Sequence, residues 1–455
     1  GAFPERYPVL LDSAAEGALS RSTVLGALPR GALWLDAAGR LHRRGDLGGD
    51  VQSVADQGGG FFDALEAAWR LAARTAAPQV SAFASTSPPL PFRGGWMVYL
   101  GYELALETEA KLQAAWPQAS RADARPVALA LRVPAALIRD AQGGGWLVAE
   151  PGVTEEELAL IRADVGAAVS LPQADAQVSE RMSIPVVEEP PEAYIHRVER
   201  AKEYIRAGDI YQANLSRGWR ATLPAQLSAA QLYARLRQAN PAPFAALAQF
   251  GDFCVLSSSP ERLLSIQGRR VDTRPIAGTH PRGGTETDDR ALAAALIAHP
   301  KERAEHVMLI DLARNDLGRV CEGGSVRVDE YMAVETYAHV HHIVSNVTGT
   351  LRDGVAPTQA LRAVFPGGTI TGVPKVRCMQ IIAELENTPR GPYTGSLGYL
   401  NHDGSGDFNI LIRTMSLQGR QLEFRAGAGI VADSDPAREL AETRAKARGM
   451  LLALQ

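Results

Sequence analysis

One stretch divides this chain. Between Leu171 and Pro191 the apolar periodicity found elsewhere gives way to Pro, Gln, Ser and acidic residues, and Pro185, Pro190 and Pro191 forbid a continuous helix. A packed core cannot be built from such text. The sequence therefore predicts an N-terminal region at residues 1–170, a linker at 171–191 and a larger C-terminal domain at 192–455. With 455 residues, 46% of them apolar, the chain has material for a large core and needs no staples.

The N-terminal region mixes short strands with helices. Val9 to Leu11 and Ala32 to Leu35 read as strands, Phe61 to about Ala77 as a helix, and Gly94 to Tyr102 as a buried strand bracketed by glycines. Val127 to Val133, Ala135 to Arg139 and Trp146 to Glu150 suggest a meander, followed by an amphipathic helix from Thr154 to about Val169. Beyond the linker, a helix from Glu192 to Ala207 puts Tyr194, Val198 and Ala201 on one face and stops at Gly208. Near the end, Thr394 to Leu400, Phe408 to Leu417 and Gln421 to Arg425 read as three antiparallel strands, joined at Asp403-Gly404 and Gln418-Gly419.

Charge and cysteine usage narrow the function classes. A net charge of -4 creates no field that would draw the chain to nucleic acid or anionic lipid, so neither partner is expected. Cys254, Cys321 and Cys378 form no paired motif, which fits a reducing compartment and a cytoplasmic home. No apolar run approaches the length of a membrane span. The first residues, Gly1 to Arg6, show no basic and apolar signal pattern, so no secretion signal is expected.

Several clusters could carry chemistry. Glu302 and Glu305 share one face of a helix starting at Pro300, and Glu439 and Glu442 share one face of a helix from Pro436 to about Leu454, with Lys446 one turn on. Two such pairs could hold a hard cation such as Mg²⁺, which prefers oxygen ligands, and spacing alone accommodates two solvated faces equally. Arg413, in the apolar run Phe408 to Thr414, needs an anionic partner, either a substrate carboxylate or an internal acid. Phe365 to Lys375 and Arg425 to Gly429 read as glycine-rich turns able to aim N–H groups at an anion, yet neither is a phosphate-binding loop or dinucleotide fingerprint. Glu261 follows the strand Phe253 to Leu256, and His342 lies in an apolar strand; each is an acid–base candidate, or a satisfied core group.

Four ordered strings identify a family. Ser259-Pro260-Glu261-Arg262, Thr273-Arg274-Pro275-Ile276-Ala277-Gly278-Thr279, the run Asp311 to Arg319 and Gly429-Ile430-Val431-Ala432-Asp433-Ser434 resemble the chorismate-utilising enzymes over residues 190 to 450, more weakly before. Its branches include anthranilate synthase large subunits, aminodeoxychorismate synthase component I, isochorismate synthases and salicylate synthases. The resemblance implies an α+β fold, with large antiparallel sheets packed as a sandwich, helices outside, and a Mg²⁺-dependent chorismate site. By similarity Glu305 and Glu442 bind Mg²⁺, with Glu302 and Glu439 in or beside its ligand set, and the ion holds the ring carboxylate of chorismate. Arg413 and Tyr393 match the grip on the enolpyruvyl carboxylate, with backbone donors from Gly427 and Gly429; Gly278, Thr279, Thr369 and Lys446 match lesser pocket positions. Glu261 matches the general acid for the C4 hydroxyl, and His342 the histidine near the same leaving group.

The resemblance also bears on the nucleophile. Branches that add water carry a lysine base where this chain has Gln212, and an amide cannot deprotonate water, so ammonia is expected. Ala277 agrees with anthranilate synthases, since most aminodeoxychorismate synthases have a covalent lysine there, and Ala313 and Glu335 to Val340 lean the same way. Gly367-Gly368 with Ile370-Thr371-Gly372 follows the aminodeoxychorismate pattern instead. Leu10-Leu11-Asp12-Ser13 and Asn240-Pro241-Ala242-Pro243-Phe244 depart from the strings lining the tryptophan pocket of anthranilate synthases. The balance implies amination to 4-amino-4-deoxychorismate without a lysine adduct, with anthranilate formation as the alternative. The chain lacks a glutaminase cysteine elbow, which implies a separate glutamine amidotransferase subunit as ammonia source.

Overall fold

A computed structural model describes residues 3–15, 22–47, 59–75, 90–113, 116, 125–140, 142–170, 183–336 and 340–455. Most of the linker, the end of the first helix and part of the Glu335 to Val340 string lie outside these residues. Two 11-stranded sheets, every pairing antiparallel, carry ten α-helices on their outer faces. This is the α+β sandwich the sequence implied.

The first sheet runs from Gly372–Val373 and Gln212–Thr222 through Gln421–Ile430, Thr414–Gln418 and Phe253–Ser259 to Phe244–Phe250, then continues into Val9–Asp12, Ser22–Ala27, Ala135–Asp140 and Gly145–Ala149. The second begins at Ile276–Pro281 and Val340–Thr350 and ends on Gly95–Leu100, Ala128–Val133, Gly31–Leu35 and Leu41–Gly45. Both sheets therefore run across the sequence boundary at 171–191. Between them lies an apolar layer in which Val9, Val24 and Val255 of one sheet meet Met97, Tyr99 and Leu131 of the other. Outside, Tyr194, Val198 and Ala201 of helix Pro191–Arg206 pack on Leu215, Ala428 and Ile430, because alternate residues of those strands face outward.

Two expected meanders are corrected. Ala128–Val133 and Ala135–Asp140 belong to different sheets, divided at Pro134, whose ring leaves no N–H for a ladder. The run read as one strand from Phe408 to Leu417 is also two: Gly406–Asn409 lies in the second sheet, Thr414–Gln418 in the first, and Ile410 to Arg413 crosses between them. Arg413 ends that crossing with a left-handed φ of 51°. Arg425 to Gly429, read as a turn, is strand interior, with Gly427 opposite Ser216 and Gly429 opposite Asn214.

Candidate active site

Two crossings between the sheets lie side by side and carry the acid end of the site. Phe253–Ser259 in the first sheet leads through Pro260 and Glu261 into Arg262–Gln267 in the second. The Ile410 N–H donates to the Glu261 carbonyl at 3.0 Å, Ser259 Oγ donates to the Ile410 carbonyl at 2.5 Å, and the Ser258 N–H donates to the Arg413 carbonyl at 3.1 Å. Glu261 and Arg413, separated by more than a third of the chain, are thus stitched together through backbone.

Glu261 is only 4% exposed. Burial pushes its carboxyl up to about 7, against the opposing pull of the Thr369 hydroxyl, the Ile276 N–H and the Arg413 and Lys446 charges. Thr369 Oγ1 donates to Glu261 Oε1 at 2.8 Å from the short helix Gly368–Ile370. A buried carboxyl that still holds its proton near neutrality suits a general acid. Behind it, a cavity of about 20 Å³ lined by Glu261, Thr273, Asp316 and Thr369 has room for one water.

His342 is 2% exposed in the strand Val340–Thr350. Burial, then the charge of Arg413, pushes its imidazole down to about 3, so the ring is neutral in ordinary buffers. Its Nδ1 lies 3.3 Å from the Gly278 carbonyl, which can only accept, so Nδ1 carries the proton.

The other end gathers around two glycines. Gln212 Nε2 donates to Glu305 Oε1 at 2.9 Å. A Cβ on Gly429 would strike Gln212 Nε2 and lie 3.3 Å from Glu305 Oε1; one on Gly427 would lie 2.6 Å from the Tyr393 hydroxyl and 2.7 Å from Asn214 Oδ1. Lys446 Nζ donates to the Gly427 carbonyl at 3.0 Å and pairs with Glu442 at 2.7 Å. Burial raises the Tyr393 hydroxyl to about 12, keeping it a donor. Glu302 lies against Gly278, its Oε2 3.0 Å from where a Cβ would stand. Glu439 is buried while Glu442 is exposed. The Thr279 side chain lies outside the described residues.

Among the described residues no three His, Cys, Asp or Glu side chains gather tightly enough to hold a metal. The four carboxylates offer oxygen only, the donor set of a hard cation, and the two helices bearing them meet the same short strand segment at Gly427 and Gly429. That chemistry fits Mg²⁺.

Two residues escaped sequence reading. Asn214 shares the face of Gln212, and period-two spacing along a strand could have revealed it. Arg390, 3% exposed, donates to the Asn214 carbonyl at 2.7 Å, to the Ile370 carbonyl at 3.4 Å and to Glu386 through two nitrogens at 2.7 and 3.0 Å. Its guanidinium lies 5.4 Å from the Tyr393 ring centroid. No local pattern marks such a hub.

Comparison with known proteins identifies the class. A family model described as chorismate binding enzyme matches residues 32–452. The chain belongs to the chorismate-binding enzymes. It is 45% identical over 318 residues to aminodeoxychorismate synthase component 1 of Bacillus subtilis, covering 68% of this chain and 67% of that protein. It is 50% identical over 263 residues to an anthranilate synthase component 1 of Haloarcula marismortui, covering 58% of this chain and 53% of the relative. The crystal structure of anthranilate synthase component I from Streptococcus pneumoniae superimposes with a TM-score of 0.78 at 30% identity, over 96% of this chain and 93% of that one. No helix among the described residues is long and apolar enough to cross a membrane.

Proposed function

We propose that this chain is the chorismate-aminating component of an aminodeoxychorismate synthase, converting chorismate and ammonia to 4-amino-4-deoxychorismate on the route to 4-aminobenzoate and folate. The observation that carries the reaction class is the buried, Thr369-bonded carboxyl of Glu261, poised to protonate a leaving hydroxyl. For the choice of C4, support comes from the Gly367-Gly368 turn that positions Thr369. A Cβ on Gly367 would lie 2.8 Å from Ile410 Cδ1, and one on Gly368 would strike Leu312, so a bulkier turn would press on both the acid's neighbour and the crossing that carries Arg413.

In this reading Arg413 and Tyr393 hold the enolpyruvyl carboxylate and Gly427 and Gly429 admit it closely. Glu305 and Glu442, with Glu302 and Glu439, would hold Mg²⁺, whose charge would bind the ring carboxylate. Ammonia adds at C2 as the C4–O bond breaks, the hydroxyl leaves as water with the Glu261 proton, and the added nitrogen returns a proton to the carboxylate. A second ammonia then attacks C4, and the C2 amine leaves as ammonia, reprotonated by Glu261. The methyl of Ala277, on the strand beside His342, can form no adduct, which favours direct addition. Gln212 supplies an amide and no base, so water is not activated. A separate glutamine amidotransferase would deliver ammonia, and three buried free thiols suit a cytoplasmic setting.

Ala277 also supports a second reading, the anthranilate synthase large subunit, which releases pyruvate. Incubating the chain with chorismate, Mg²⁺ and ammonium, then identifying the product by mass spectrometry, decides between them. A non-fluorescent amine retaining the enolpyruvyl group is expected; fluorescent anthranilate with free pyruvate would overturn the C4 reading.

A further inference from the structure

Two amide oxygens in the site have no partner. Gln212 is 4% exposed, and its Nε2 is committed to Glu305, which as a carboxylate can only accept; this fixes the amide so that Oε1 points the other way, buried and without a hydrogen bond. Asn214 Oδ1 is equally buried and equally without a partner. Leaving two such acceptors dry is costly, and native structures rarely do so without a ligand to answer them.

Their placement says what would answer. Gln212 and Asn214 are two apart on Gln212–Thr222, so both side chains leave the same face, away from Ala213 and Leu215, which pack under the outer helices. Across the ladder that face is bare, because Gly427 and Gly429 present no side chains; a Cβ on Gly427 would come within 2.7 Å of the Asn214 oxygen. The backbone beneath is rigid: the Asn214 carbonyl takes a bond from Arg390, and its N–H donates to the Thr371 carbonyl at 2.8 Å. The space is small, acceptor-rich and framed by backbone.

We propose that the amide oxygens of Gln212 and Asn214 form the seat of the nitrogen nucleophile. Ammonia has three donors and one lone pair. Acceptors that engage its N–H groups leave the lone pair free to attack, whereas a donor in their place would occupy it. Asn214 is on this assignment a binding residue for the second substrate. The proposal rests on the ammonia-dependent reading above.

The test varies ammonium chloride at fixed pH with chorismate and Mg²⁺ saturating, and measures chorismate binding separately by calorimetry without ammonium. Asn214→Leu keeps the shape and removes the acceptor. Its KM for ammonium should rise about fivefold to tenfold, with KM and calorimetric affinity for chorismate within about twofold of wild type. Asn214→Asp restores an acceptor and should return the ammonium KM to the wild-type value or below. An unchanged ammonium KM in folded Asn214→Leu, a parallel rise for chorismate, or failure of Asn214→Asp to recover would each overturn the seat. A wild-type chain that binds chorismate yet makes no aminated product with ammonium would instead overturn the functional reading, and the seat with it.

Discussion

Glu261 and Glu442 are both assigned to one site, yet their surroundings differ. The first is 4% exposed, bonded by Thr369 and fixed by backbone bonds between two sheet crossings. The second is exposed on helix Pro436–Ala453, its nearest charge a lysine one turn away. The acid end is finished by folding alone, and the carboxylate end waits for a ligand to gather it. The difference follows from chemistry: a neutral acid can be buried cheaply, whereas four carboxylates drawn together without a cation would repel.

The largest expected effect breaks the acid end. Glu261→Gln keeps shape and an acceptor for Thr369 but removes the transferable proton; kcat should fall about 10²- to 10⁴-fold with chorismate affinity retained, as steady-state kinetics and calorimetry would show. The same variant tests the linkage. Because the folded pKa of about 7 lies above the ordinary value of 4.5, the native chain keeps a proton the unfolded chain has released. Stability from this group is full below about pH 4.5 and is lost as pH rises to about 7. Glu261→Gln should therefore show a flatter melting temperature across that window.

Arg390→Lys strikes the frame common to both ends. It preserves charge but cannot bridge Glu386, Asn214 and Ile370 together, and should cost about 3 kcal/mol in denaturant unfolding. Mg²⁺ sharpens the contrast at the carboxylate end: a hundredfold excess over its Kd should stabilise by about 2.7 kcal/mol in thermal unfolding, with EDTA removing both this gain and activity. Thr369→Val is the mildest change. Loss of its hydrogen bond should raise the Glu261 pKa further, moving the alkaline limb of the kcat profile to higher pH at constant free ammonia.

The helices were legible because their periodicity and stops are local: Gly208, with φ of 81°, ends Pro191–Arg206 where expected. The sheet changes at Pro134 and at Ile410 to Arg413 were not, since an apolar run reads alike whether its ends pair in one sheet or two. The site shows the same division. Paired carboxylates, glycines and the Glu261 string stand out as text, but what raises the Glu261 pKa is burial between crossings from distant parts of the chain. Asn214 and Arg390 went unnoticed because their meaning lies in partners 176 residues apart.

Whether Glu261 carries a proton at neutral pH can be observed directly. Infrared difference spectra of wild type against Glu261→Gln, recorded from pH 5 to 9, should show a protonated carboxylic C=O band that disappears with a midpoint near 7. A carboxylate signature throughout that range, with no band lost on substitution, would contradict the assignment of Glu261 as the acid.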